Sequence, residues 1–156
     1  MKSVRFEYQL SGTGWADAAI FVDEEKFPMA VSYLHDSLRQ LLEQVAAFLA
    51  GRSEEARVIF MDEPGEHWLI VRRQKEGAEF ELRWYDDWAS WKMFSEERYS
   101  TQVLCTVCLE EFTASILEVV QKILRDESGT EGYKKKWCEH EFPSEAFEAL
   151  RKLSNA

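Results

Sequence analysis

Along Val4-Arg-Phe-Glu-Tyr-Gln-Leu10 the apolar residues Val4, Phe6, Tyr8 and Leu10 alternate with charges and an amide. A period of two turns one face of a strand to a core and the other to water. Ser11-Gly12-Thr13-Gly14 reads as a turn and Trp15 to Val22 as a returning strand. Asp23-Glu24-Glu25-Lys26 turns again, and Phe27 to Tyr33 is a third strand.

The period then lengthens to 3.6. Ser37 with Gln40 three residues later forms a capping-box pattern, with Asp36 as the alternative cap. Leu38, Leu41, Leu42, Val45 and Leu49 make the buried stripe of this first helix, and Gly51 supplies its stop. Period two resumes in Val58 to Asp62, Trp68 to Arg73 and Glu79 to Tyr85. Glu63-Pro64-Gly65-Glu66 suits a type II turn between the first two of these. In the third, Phe80, Leu82 and Trp84 fall on one face and Glu79, Glu81, Arg83 and Tyr85 on the other.

Residues 86–99 follow no period, and Thr101 to Leu109 is a seventh strand candidate. A second helix carries Phe112, Ile116, Val119, Val120, Ile123 and Leu124 on one face and ends at Ser128-Gly129. Glu131 to Glu141 reads as an irregular crossing, and Phe142-Pro143-Ser144-Glu145 opens a short closing helix with Phe147, Leu150 and Leu153. The order βββ-α-ββββ-α-α predicts one α+β domain over residues 1–156. Its expected form is a mostly antiparallel sheet of six to seven strands with two long helices and a short C-terminal one on one face.

A chain of 156 residues buries roughly 68–70% of its unfolded surface, enough for a core without disulfides or metal. Its 46% hydrophobic and 13% aromatic content excludes disorder. Twenty-nine Asp and Glu oppose nineteen Lys and Arg, a formal charge of -10 and a pI near 4.9. The only short basic run is Lys134-Lys135-Lys136, so neither nucleic acid nor a membrane surface is an expected partner. A basic protein suits this charge better, because opposite potentials speed encounter. No leader-like apolar run opens the chain, no window of 18 apolar residues exists, and the three cysteines form no even framework. Together these point to a reducing cytoplasm.

Candidate chemistry centres on Leu82-Arg-Trp-Tyr-Asp-Asp-Trp-Ala-Ser-Trp-Lys-Met-Phe94, which holds three of the six tryptophans. Trp84 is expected inside with Phe80 and Leu82. Asp86 and Asp87, where the alternation fails, fit caps of the following turn better than an acid/base pair. For Trp88, Trp91 and Met93 or Phe94 two readings stand: a helical turn covering a sheet edge, or a loop whose Trp and Met anchors dock into a partner, with Trp88, Trp91 and Phe94 as the leading candidates. A further reading is a small-molecule cavity between sheet and helices lined by Trp68, Trp84 and Tyr85, with Asp86 or Asp87 as its polar group.

Other constellations are weaker. Cys105 and Cys108 would face opposite sides of a strand and so could not grip one zinc ion with Cys138 and His140. Cys138 with His140, and His67 beside the Pro-Gly turn, lack an oxyanion loop or a nucleophile turn. Glu63 and Glu66 would be solvated at a hairpin tip. Gly12-Thr-Gly14 joins two strands and lacks a third glycine, so it is a turn and no phosphate cradle. No catalytic residue, metal site or cofactor is expected.

The succession Ser32-Tyr-Leu-His-Asp-Ser-Leu-Arg-Gln-Leu-Leu42, Asp62-Glu-Pro-Gly-Glu-His-Trp68 and Trp84-Tyr-Asp-Asp87 resembles a scattered group of small uncharacterised bacterial α+β proteins. In size, acidity and make-up these are similar to the immunity proteins that neutralise secreted toxins. Immunity proteins share no common catalytic residue, so the resemblance implies a protein-binding role and transfers no site. The leading expectation is therefore a non-enzymatic interaction module, with a small-molecule binder or enzyme as its alternative and a self-associating dimer as a third.

Overall fold

In the computed structural model, which describes residues 1–155, the first three strands are β1 (Val4–Leu10), β2 (Trp15–Val22) and β3 (Glu25–Ser32). They pair antiparallel in sequence order. Helix α1 (Ser37–Leu49) follows, then a four-stranded antiparallel meander of β4 (Glu55–Met61), β5 (Glu66–Arg73), β6 (Ala78–Tyr85) and β7 (Ser100–Val107). Helices α2 (Leu109–Asp126), α3 (Thr130–Lys136) and α4 (Ser144–Ser154) complete the chain.

The α+β class and antiparallel pairing agree with the hydrophobic pattern. The single sheet does not: the strands divide into sheets of three and four. A parallel bridge at Lys2–Val107 joins the two, with the Lys2 N–H donating to the Thr106 carbonyl at 2.9 Å. There are four helices among the described residues rather than three, because the expected crossing contains α3. Its Tyr133 and the following Trp137 are both 0% exposed, and two large buried aromatics hold a segment too short to be a stable helix alone. The seventh strand stops at Val107, and Leu109 opens α2 instead of closing a strand.

Side chains from α1 close the free edge of β4. Ser37 Oγ donates to the Ile59 carbonyl at 2.6 Å, and Gln40 Oε1 accepts from the Ile59 N–H at 2.7 Å. Gln44 Oε1 accepts from the Arg57 N–H at 3.1 Å. The apparent capping box is thus used across the fold, and Asp36 occupies the cap position without a side-chain capping bond. At the other end Gly51, at φ 77°, donates to the Phe48 carbonyl while Arg52 donates to Ala47, the bond pair of a Schellman stop. Phe48 rather than Leu49 faces the core there: Leu49 is 37% exposed.

The main core lies between the inner faces of the two sheets and the helices. Phe6 on β1 and Phe80 on β6 both meet Phe112 of α2, at centroid distances of 6.4 and 5.6 Å. Each such aromatic pair contributes about 0.5–1.5 kcal/mol beyond burial, so α2 ties the two sheets together. Ser115 Oγ on the same helix accepts from the Phe6 N–H at 2.9 Å, filling a position along the free edge of β1. Among the described residues no helix is long and apolar enough to cross a membrane.

Candidate functional site

The four-stranded sheet is apolar on both faces around Trp68-Leu-Ile-Val71. Leu69 and Val71 enter the main core, whereas Trp68 and Ile70 join Ile59, Tyr85 and Ala89 in a second cluster on the opposite face. Residues 86–99, including a 3-10 turn at Ala89–Trp91, cover that cluster. Phe80 and Leu82 are buried as the alternation requires, but Tyr85 is 0% exposed on the outer face instead of pointing to water. Trp84, expected in the core, is half-buried at the strand end. It lies 4.8 Å from His67, and its indole donates to Asp86 Oδ1 at 2.9 Å.

Glu66 anchors the covering segment. It shares the strand face of Trp68 and Ile70 and is 0% exposed, not a solvated acid at a hairpin tip. Its carboxylate accepts from Trp68 Nε1 at 2.5 Å, from the Ser90 N–H at 2.9 Å and from Ser90 Oγ at 2.7 Å. Three donors converging on one buried carboxylate offset much of its desolvation. Trp88 adds a second tie by donating from Nε1 to the Asp62 carbonyl at 2.8 Å, and Tyr85 donates to the Glu96 carbonyl at 2.6 Å. Asp87 accepts from the Trp88 N–H at 2.8 Å where the covering segment begins.

The three candidate anchors separate. Trp88 is half-buried and Phe94 packs on the second cluster, with Arg98 5.0 Å from its ring centroid. Trp91 is 46% exposed, held edge-on at 4.9 Å from Trp88. Met93, which extends the same apolar run, is 59% exposed two residues on. Asp86, Glu96 and Glu97 are exposed in the same segment, together with Lys92 and Arg98. Neither Glu66 nor Ser90 was expected in a site; the one available signal was that Glu66 keeps step with Trp68 and Ile70 along β5.

Beyond the cap the outer face is ionic. Glu81 is 5% exposed and lies 3.0 Å from Arg72 and 2.7 Å from Arg83. Burial pushes its carboxyl up, but the hydrogen bonds and charges of the two arginines outweigh that and hold it below the usual carboxylate range. Arg83 also stacks 4.0 Å over Tyr99.

The expected cavity between sheet and helices is not lined as supposed. Trp68 and Tyr85 are solidly packed on the face away from the helices, and Asp86 is exposed at the strand end. Two open grooves lie elsewhere. One of about 600 Å³ runs beside β1 and α2 between Arg5, Lys26, Glu118 and Lys122. The other, of about 620 Å³, lies where the end of α1, the β5–β6 turn and the start of α2 meet. All three cysteines are free thiols: Cys108 is exposed at the cap of α2, while Cys105 and Cys138 are half-buried. His140 Nε2 donates to the Tyr33 carbonyl at 2.8 Å, so that nitrogen is engaged away from Cys138. Compared with known families, curated proteins and solved structures, the chain matches none.

Proposed function

We propose that the chain is a protein-interaction module of the cytoplasm, immunity-like in its mode of action, that binds a basic partner through the cap on its four-stranded sheet. What supports the reading is the exposure of Trp91 and Met93, at 46% and 59%, on a turn whose neighbours are locked down. Binding usually costs side-chain and loop ordering; here Glu66, Trp88 and Tyr85 have already fixed the backbone that carries the anchors. Trp and Met are both enriched in the buried cores of interfaces, and Trp is among the commonest hot-spot residues. The mode of action is occlusion: the two anchors enter a pocket while Asp86, Glu96 and Glu97 meet Lys or Arg at the rim. The chain's charge of -10 steers such a partner over a longer range and makes association weaken with salt.

The test is affinity capture from the native lysate with the wild-type chain beside a Trp91→Ala/Met93→Ala variant. A basic protein retained by the wild type and lost by the folded variant supports the assignment. Equal retention by both chains moves the interface off the cap, and a bare wild-type lane removes the partner reading itself.

A further inference from the structure

Four buried polar atoms meet at one junction of the fold without a hydrogen-bond partner among the described residues. They are Tyr8 Oη on β1, Asp36 Oδ1 at the start of α1, Tyr133 Oη on α3 and Trp137 Nε1 at its end. Their side chains adjoin. The rings of Tyr8 and Trp137 meet edge-on at 6.3 Å. Tyr133 sits one helical turn before Trp137, whose N–H donates to the Tyr133 carbonyl at 2.8 Å. Trp137 lies 6.5 Å from the His140 ring, and His140 Nδ1 is 3.7 Å from Asp36 Oδ2. Burial first raises both tyrosine hydroxyls above their ordinary range; Tyr133 and then the Asp36 carboxylate add to it at Tyr8, and Asp36 adds to it at Tyr133, so both are neutral donors at any physiological pH.

Buried polar groups are satisfied by protein or by ordered water in the great majority of cases, and leaving four unpaired in one place would be a heavy destabilisation. The chemistry of the junction narrows what can satisfy them. An anion would face the Asp36 carboxylate, and an apolar molecule would leave all four groups unpaired. A cation would meet the indole N–H. Tyr8, Tyr133 and Trp137 are 5%, 0% and 0% exposed, which leaves no open path for anything large. A molecule that both donates and accepts, and is small enough to be enclosed, fits all four.

We propose that the junction of Tyr8, Asp36, Tyr133 and Trp137 is an internal hydration site, in which ordered water accepts from the indole and the phenols and donates to Asp36 Oδ1. The site joins β1, the start of α1 and α3, and it docks α3, a seven-residue helix, against the other two.

Melting temperatures of Tyr8→Phe, Tyr133→Phe and the double variant test it, with Thr113→Val as the reference because Thr113 Oγ1 is a buried unpartnered atom on α2, outside the junction. Each tyrosine variant is expected to melt about 2–4 °C below the wild type, since it removes a hydrogen bond to water. The double variant is expected to fall by less than the sum, because the two hydroxyls share bridging water. An unchanged or higher melting temperature for both single variants overturns the proposal, because deleting an unpaired buried hydroxyl relieves a penalty. A crystal structure at about 1.2 Å resolution decides independently of the melts: electron density within hydrogen-bond reach of at least three of the four atoms supports the site, and a clean, featureless junction sinks it.

Discussion

Glu66 on β5 grips Ser90 of the 3-10 turn with both carboxylate oxygens, one accepting from the backbone N–H at 2.9 Å and the other from Oγ at 2.7 Å. This pair, and not the tryptophans alone, holds residues 86–99 on the outer face. Ser90→Ala removes the hydroxyl but keeps the amide bond. It is expected to cost about 1.5–3 kcal/mol, the range for a hydrogen bond to a charged group. Glu66→Ala is expected to cost more, since it also strands the Trp68 indole. Urea unfolding measures both; a Ser90→Ala midpoint equal to the wild type would show that the turn is held by its apolar contacts alone.

The aromatic cap divides into structure and surface. Trp88→Ala loses the bond to the Asp62 carbonyl and the packing against Trp91, and Phe94→Ala uncovers the second cluster. Each is expected to lower stability by about 1–3 kcal/mol. Trp91→Ala is expected to cost no more than about 0.5–1.5 kcal/mol, the worth of its pair with Trp88, and Met93→Ala to stay within about 0.5 kcal/mol of the wild type. Chemical denaturation of the four variants checks the split. A large loss for Trp91→Ala would make it part of the structure and not a free anchor.

Gly65 stands at φ 86° where the β4–β5 turn passes under Trp84. A Cβ there would enter the Trp84 ring and come within 2.8 Å of the Tyr85 carbonyl oxygen, which is backbone and cannot swing away. Gly65→Ala therefore combines a disfavoured dihedral with a clash and is expected to cost about 2 kcal/mol or more. The near-ultraviolet circular dichroism of the indoles should change with it. A variant as stable as the wild type, with an unaltered aromatic spectrum, would contradict the close approach.

His67 is 5% exposed, and burial lowers its pKa from 6.5 to about 4, despite a smaller opposing contribution from the Gln102 side chain. The folded chain keeps the ring neutral while the unfolded chain protonates it below about pH 6.5. In that window the unfolded state binds more protons, so stability rises with pH. The contribution is complete above about pH 6.5 and is lost as the pH falls toward 4, by roughly 3 kcal/mol at most. His67→Gln should flatten this part of the profile, while carboxylate titration continues in both proteins. Parallel unfolding profiles for the two chains between about pH 7 and pH 4.5 would show that the ring ionises as freely in the fold as out of it.

Local pattern was sufficient for the strands and the two long helices, because period two and period 3.6 are properties of a chain segment against any core. Val4, Phe6, Tyr8 and Leu10 are all buried, and so are Leu38, Leu41, Leu42 and Val45. The same pattern could not separate a strand with one buried face from one with two. Tyr85 was misplaced for that reason: its outward direction is correct, but the outer face at that end carries a core of its own. Helix α3 escaped because lysines and a glycine fill most of its other positions and only Tyr133 and Trp137 mark its buried side.

What the sequence determined by itself was the class of the fold, the acidity, and the presence of an unusual aromatic segment after β6. Those depend on composition and on neighbours within a few residues. Only the tertiary structure decided that the strands form two sheets, that Glu66 is buried, and that Trp91 and Met93 remain free while Trp88 and Phe94 do not. Each of these depends on which surfaces meet across distances of tens of residues. Glu66 and Ser90 are 24 positions apart, and no local period couples a carboxylate on one strand to a turn beyond the next.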